Sequence, residues 1–177
     1  MAGGSISLKE VIPDQLEESL ILFQRAGAVV KRERERLFIC MKDRPDPLKI
    51  STGPYPGFPT DMQSLFMAFL SIAKGESCIT ENVFEDRFGT AAELVKMGAD
   101  ITCQGKTAVI KGVPLLAGTK VRALDLRGAA ALVMAALGAE GSTIIEDCYH
   151  IKRGYEDICR DLRALGGRAD WMESDTG

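Results

Sequence analysis

Two stretches decide the fold: Lys74-Gly75-Glu76-Ser77-Cys78-Ile79-Thr80-Glu81-Asn82-Val83-Phe84-Glu85-Asp86-Arg87 and Glu140-Gly141-Ser142-Thr143-Ile144-Ile145-Glu146-Asp147-Cys148-Tyr149-His150-Ile151-Lys152-Arg153. In both, twelve positions separate the glycine from the arginine. An Ala-rich apolar stretch precedes each, Leu65 to Ala73 and Ala129 to Ala139. It reads as a buried helix closed at its C-terminus by the glycine. The residues after each glycine, Cys78-Ile79-Thr80 and Thr143-Ile144-Ile145, are rich in β-formers and read as short strands.

Working outward, a second element recurs three times. Leu20 to Ala28, Ala92 to Ala99 and Ile158 to Gly167 run as amphipathic helices ending around Gly27, Gly98 and Gly166. Those glycines lie 71 and 68 residues apart. Helices often end in glycine, so the endings alone carry little; the shared twelve-residue spacing within one element order carries the repeat. After the first two helices come two alternating strands around a polar turn: Val29 to Cys40, then Asp100 to Ile110. Gln104-Gly105-Lys106 has hairpin-turn chemistry. The unit is helix, strand, helix, strand, strand, about 70 residues long. The chain divides into sub-repeats at approximately 1–57, 58–122 and 123–177, of which the middle one reads as complete. The first opens near its first strand, Ser5 to Lys9, and the third stops soon after Gly166. Repeat units need their full complement to bury their faces, so the missing pieces are expected from elsewhere in a longer chain. Exposed strand edges in the third repeat would then invite self-association.

A chain of 177 residues, 46% hydrophobic and 27% charged, has the composition of one sizeable globular core. No apolar run approaches a membrane span, and Met1-Ala2-Gly3-Gly4-Ser5 lacks the basic and apolar regions of a signal peptide. A net charge of −3 argues against nucleic-acid binding. Cys40, Cys78, Cys103, Cys148 and Cys159 are scattered, with His150 alone to join them, so no metal site is expected. Their apolar neighbours read as core or strand packing, and a reduced, cytoplasmic chain is the simplest inference.

Four constellations carry candidate chemistry. Gly53-Pro54-Tyr55-Pro56-Gly57-Phe58-Pro59 is a stiff extended loop, followed by Thr60-Asp61-Met62-Gln63. Thr60 or Asp61 is expected to cap the next helix; alternatively the loop aims Asp61 into a site as a proton acceptor. In Phe84-Glu85-Asp86-Arg87-Phe88, Glu85 and Asp86 read as surface charge. Arg87 and Arg153, at equivalent places in the repeat, suit a shared anionic ligand. Asp125 is expected to cap the helix that Leu126-Arg127-Gly128 opens; alternatively Asp125 and Arg127 form only an ion pair within the domain. Tyr149 to Glu156 holds three potential cations and two tyrosines, in which His150 reads as a packed residue. The run Lys31 to Arg36 alternates in sign and reads as a solvated hairpin.

Together, Pro59-Thr60-Asp61-Met62-Gln63, Phe84 to Phe88, Asp125-Leu126-Arg127 and Tyr149 to Glu156 resemble the UDP-N-acetylglucosamine enolpyruvyl transferases. The resemblance extends from about Gly4 to Gly166. Departures are Asp86 for the usual Asn, Lys152 for the usual Asp, and Gly128 for the usual alanine; none removes a family functional residue. The resemblance implies an α/β (α+β) fold, an inside-out α/β barrel of βαβαββ units in two similar domains. It also implies transfer of the enolpyruvyl group of phosphoenolpyruvate to the 3′-hydroxyl of UDP-N-acetylglucosamine. That reaction is the first committed step of peptidoglycan synthesis, which serves cell-wall biogenesis, cell shape and division. The family's base falls on Asp61, its nucleotide contact on Val83 and an interdomain position on Arg87. Its phosphoenolpyruvate contacts fall on Arg127 and Arg153, with Asp125 alongside. The resemblance implies no cofactor. It places the general-acid cysteine on the missing N-terminal domain, so this chain alone is expected to be inactive. The alternatives are a 3-phosphoshikimate 1-carboxyvinyltransferase-like domain, or a non-catalytic binding module of the same fold.

Overall fold

The computed structural model describes residues 3–172; the outermost parts of the first and third sub-repeats, 1–2 and 173–177, lie outside the described residues. Among the described residues nine strands form three sheets: β1 Gly4–Lys9, β2 Val29–Glu33, β3 Arg36–Met41, β4 Lys49–Ser51, β5 Glu76–Thr80, β6 Asp100–Gln104, β7 Thr107–Lys111, β8 Lys120–Arg122 and β9 Ile144–Glu146. The helices are α1 Glu17–Arg25, α2 Gln63–Leu70, α3 Gly89–Lys96, α4 Leu126–Leu137, α5 Tyr149–Gly154 and α6 Ile158–Ala164.

The three sheets are partial copies of one pattern. The middle sheet, ordered β4-β5-β7-β6, joins a parallel pair to two antiparallel ones. The first sheet, β1-β3-β2, repeats its three antiparallel members. The third, β8-β9, repeats its parallel pair. The uninterrupted order β-α-β-α-β-β runs from β4 to β7. Its opening strand lies before residue 58, because the proline-rich loop connects β4 to α2 within one unit.

Local chemistry accounts for the strands. Hairpin β6–β7 closes through Gly105 at φ +54°, a left-handed turn conformation that costs glycine little. In β7 the burial alternates, with Ala108 and Ile110 fully inside, as a sheet with one solvated face requires. The helices carry the core. Seven of the eight α2 residues are buried, and α4 packs along α2 through Ala131, Leu132 and Ala135. Phe66 meets Phe23, Phe58 and Phe69 with ring centroids 5.1, 5.1 and 5.8 Å away. Fully burying each such ring contributes about 2–3 kcal/mol. The apolar helices therefore lie inside and the sheets outside, the reverse of a sheet-centred α/β layer.

Cys159 is buried in the core, while Cys103 lies on the edge strand β6 and is exposed, so the expected core or strand packing takes its strand form there. Among the described residues no helix is long and apolar enough to cross a membrane.

Candidate functional site

Asp61 lies in a single 3₁₀ turn, Thr60–Met62, that leads into α2. Pro59 occupies the N-cap of that turn and Met62 the N-cap of α2, and neither helix end receives a side-chain cap. The capping expectation for Thr60 and Asp61 is thus corrected: both side chains are drawn to partners distant in sequence. Asp61 Oδ1 accepts from Arg87 Nη2 at 2.8 Å, and its Oδ2 accepts from Arg127 Nη2 at 2.7 Å. The Asp61 side chain remains 53% exposed, so the clamp sits at an open surface. The Arg127 hydrogen bond lowers the pKa of Asp61, outweighing partial burial, and Arg87 adds to the effect. Asp61 is a carboxylate at neutral pH.

Each arginine is placed by its own element. Asp125 caps α4, its Oδ1 accepting from the amides of Arg127 and Gly128 at 2.8 and 2.9 Å. That cap starts the helix so that the Arg127 guanidinium reaches Asp61. The alternative, an Asp125–Arg127 ion pair, does not form; the contact between them is backbone to carboxylate, and Arg127 pairs with Asp61 instead. Arg87 precedes α3, its guanidinium 4.7 Å from the centroid of the Phe84 ring. Its Nη1 donates to Thr60 Oγ1 at 3.1 Å. Asp86 beside it has φ +51°, a conformation that Asp and Asn tolerate better than most residues. Val83 is exposed at the mouth of this loop. A cavity of about 210 Å³ opens here between Phe84, Arg87, Phe88 and Lys106.

Arg153 departs from strict equivalence with Arg87. It lies inside α5, whereas Arg87 lies in a loop, because Tyr149 to Ile151 turn helical where Val83 to Glu85 do not. Among the described residues Arg153 makes no ion pair, and its side chain is exposed. Its helix is held against the start of α4 by close approach: a Cβ on Gly154 would meet Leu126 Cδ1 at 2.3 Å. His150 packs edge-on to Tyr149, centroids 5.6 Å apart. Lys152 stacks on Trp171, its Nζ 4.9 Å from the ring centroid.

One participant was passed over in the sequence. Glu81, 1% exposed, gathers four hydrogen bonds: Oε1 accepts from Thr52 Oγ1, Val83 N and Phe84 N, and Oε2 from Thr60 Oγ1. Burial raises its pKa, but these four donors more than offset it and hold the group below the ordinary carboxylate range. The sequence carries no local signal for it, since a carboxylate following the alternating strand Ser77 to Thr80 reads as a loop residue facing water.

A wide groove lies elsewhere, about 1720 Å³ between α4, β9 and α6, lined by Val133, Leu137, Ile144, Ile158 and Leu162. It contains neither Asp61 nor its arginines. No group of three or more His, Cys, Asp or Glu able to hold a metal occurs among the described residues.

Comparison with known proteins places this architecture. A family model described as EPSP synthase (3-phosphoshikimate 1-carboxyvinyltransferase) matches residues 1–162. The UDP-N-acetylglucosamine 1-carboxyvinyltransferase of Aeromonas hydrophila is 44% identical over 171 residues, covering 96% of this chain and 41% of that protein. A protein of the same name from Desulfofundulus thermocisternus is 48% identical, covering 93% and 68% respectively. The crystal structure of the enolpyruvyl transferase NikO from Streptomyces tendae superposes with a TM-score of 0.84 at 29% identity, over 94% of this chain and 40% of that one. The chain thus spans about two fifths of the Aeromonas protein, and the mixed helix-and-sheet architecture is that of an enolpyruvyl transferase. By sequence and by fold, the chain belongs to the EPSP synthase family, among its UDP-N-acetylglucosamine 1-carboxyvinyltransferases.

Proposed function

We propose that the chain supplies one wall of an active site that transfers the enolpyruvyl group of phosphoenolpyruvate to the 3′-hydroxyl of UDP-N-acetylglucosamine, releasing phosphate. The observation that carries this reading is Asp61, an ionised carboxylate at an open surface between two guanidiniums. In the addition step the 3′-oxygen bonds to C2 of phosphoenolpyruvate while a base takes the hydroxyl proton and an acid protonates the methylene carbon. Elimination then expels phosphate as the new methyl group returns a proton. Asp61 is the acceptor for the hydroxyl proton. Arg127 and Arg153 bind the phosphoenolpyruvate anions, with Asp125 holding the start of α4 that carries Arg127. Arg87 faces the cleft and Val83 contacts the nucleotide.

Two guanidiniums make Asp61 a ready but weak base. Incoming phosphate and carboxylate groups compete for the same guanidiniums, weakening their hold on Asp61 and raising its proton affinity when substrate is present. The general acid belongs to a second domain that closes the cleft, since proximity catalysis needs both walls. In this reading the protein acts in the cytoplasm in peptidoglycan synthesis, and so serves cell-wall biogenesis, cell shape and division. It takes no cofactor and engages neither nucleic acid nor membrane.

A turnover assay tests the proposal. With both substrates, the chain alone is expected to release no phosphate, and the chain combined with a complementary N-terminal domain is expected to turn over. Phosphate release by the pure chain would refute the two-wall division. Turnover of 3-phosphoshikimate instead of UDP-N-acetylglucosamine by the combined protein would overturn the substrate assignment.

A further inference from the structure

We propose that Glu81 is a positioning residue for Asp61, acting through the Thr60 hydroxyl to aim Arg87. The role deepens the reading of Asp61 as proton acceptor and rests on it. Thr60 has one hydroxyl hydrogen. It is donated to Glu81 Oε2 at 2.8 Å, which leaves the oxygen lone pairs free to accept from Arg87 Nη1 at 3.1 Å. The other terminal nitrogen of the same guanidinium then meets Asp61 Oδ1 at 2.8 Å. Turned the other way, the hydroxyl would set its hydrogen against the Arg87 N–H groups, and the guanidinium would lose this anchor. The direction of one hydroxyl therefore decides where Arg87 points.

Glu81 acts on Arg87 from a second side. Its Oε1 accepts from the amides of Val83 and Phe84 at 2.8 and 3.1 Å, and the Phe84 ring carries the Arg87 guanidinium. Only an ionised carboxylate presents acceptors to all four donors. A glutamine of the same shape offers one oxygen and an NH₂ group, so with its oxygen on the Thr52, Val83 and Phe84 donors its NH₂ would donate to Thr60 Oγ1 and turn that hydroxyl hydrogen away. The buried charge is thus matched to the geometry around it, and it joins the loop carrying Val83 to the turn carrying Asp61.

The test follows the Asp61 carboxyl by ¹³C NMR titration in the chain itself, with T60V, E81Q, T60V/E81Q and T60S. T60V keeps the shape of Thr60 and removes the hydroxyl. The Asp61 midpoint is expected to rise by about half a pH unit or more in T60V, because a loosened Arg87 stabilises the carboxylate less. E81Q is expected to shift it in the same direction, and the double variant no further than the larger single shift. T60S restores the hydroxyl and is expected to return the wild-type midpoint, which a purely structural role for Thr60 would not require. An unmoved midpoint in T60V overturns the relay, and so do additive shifts. If E81Q fails to fold, T60V and T60S decide the matter alone. Absence of turnover in the complemented wild-type protein would count against the proposed function while leaving this titration interpretable.

Discussion

Asp61 and Arg127, 66 residues apart in sequence, are joined by a 2.7 Å hydrogen bond between Oδ2 and Nη2. The bond links the turn before α2 to the first turn of α4, so two repeat units contribute to one constellation. Both side chains are well exposed, at 53% and 38%. A pair so placed contributes about 0–1 kcal/mol to stability; its value lies in the charge state and aim of Asp61.

Removing Arg127 therefore separates stability from function. R127A is expected to leave the melting temperature nearly unchanged and to raise the Asp61 titration midpoint, since its largest lowering influence is lost. In the complemented enzyme, kcat/KM for phosphoenolpyruvate is expected to fall by a factor on the order of 10² or more, as when a charge-assisted anion contact is deleted. Calorimetry, carboxyl NMR and steady-state kinetics read the three effects, and a large loss of stability would make Arg127 a structural residue.

D61N removes the acceptor while keeping the shape. A lost general base lowers kcat by a factor on the order of 10² to 10⁴, measured as phosphate release by the complemented protein. A kcat close to wild type would leave Asp61 only the task of holding its two arginines apart.

If phosphoenolpyruvate anions take the guanidiniums that hold Asp61, inorganic phosphate is expected to compete for them as well. Titrated at constant ionic strength, phosphate is expected to move the Asp61 midpoint upward, whereas chloride is expected to leave it in place. Equal effects of the two salts would show that screening alone relaxes the clamp.

Glu81 gives the acid stability a defined sign. Its folded pKa lies below the ordinary value near 4.5. The stability it contributes is therefore fully present above that value and is lost as pH falls through the folded pKa. Denaturant titrations should show stability declining below about pH 4.5 in the wild type and a shallower decline in E81Q, starting from a lower plateau. A parallel slope in E81Q would assign the acid sensitivity to other carboxylates, Glu93 foremost among them, since its pKa is also lowered and it is 7% exposed.

Much of this was legible before the structure, for physical reasons that differ by element. The hairpins β2–β3 and β6–β7 declare themselves by alternation around turn residues, and Asp125 as a cap needs only the amides of Arg127 and Gly128, two and three residues on. Thr60 and Asp61 misled because local sequence offers them a helix N-terminus, while the fold offers Glu81, Arg87 and Arg127 from 21, 26 and 66 positions away. No local pattern carries such pairings. Glu81 was invisible for the same cause: a carboxylate after a strand looks solvated until four donors are brought onto it. The spacing shared by Arg87 and Arg153 was real, yet identical spacing led into a loop in one copy and a helix in the other.

Gly128, at a position where alanine is usual in the family it resembles, has a neighbour that explains the exchange. A Cβ there would come within 2.5 Å of Thr90 Oγ1, and Thr90 is 2% exposed. G128A would gain about 1 kcal/mol of helix propensity and lose more to overlap with a buried side chain, a net cost of about 1–2 kcal/mol. T90A removes the closest overlap and leaves only a tight 3.1 Å approach to Asp125 Oδ2, so the double variant is expected to be more stable than the two single changes predict, with a coupling of about 1 kcal/mol or more. Additive denaturation midpoints would mean that Thr90 moves aside at no cost.

The open edges of the outer sheets predict self-association of the isolated chain. Among the described residues β9 pairs with β8 alone and β1 with β3 alone, leaving one backbone edge of each open. Ile144 on β9 is 44% exposed, and Leu137 across the adjoining groove is 38% exposed. An open strand beside apolar surface is a template for pairing with another chain. Sedimentation velocity is therefore expected to show a weight-average mass that rises with concentration. I144K, which sets a charge on that edge, is expected to suppress the rise without unfolding the chain, because Ile144 contributes little buried area. A monomer at every concentration would mean that these edges are too short to pair. Association unaffected by I144K would move the contact to β1, where I6K is the corresponding test.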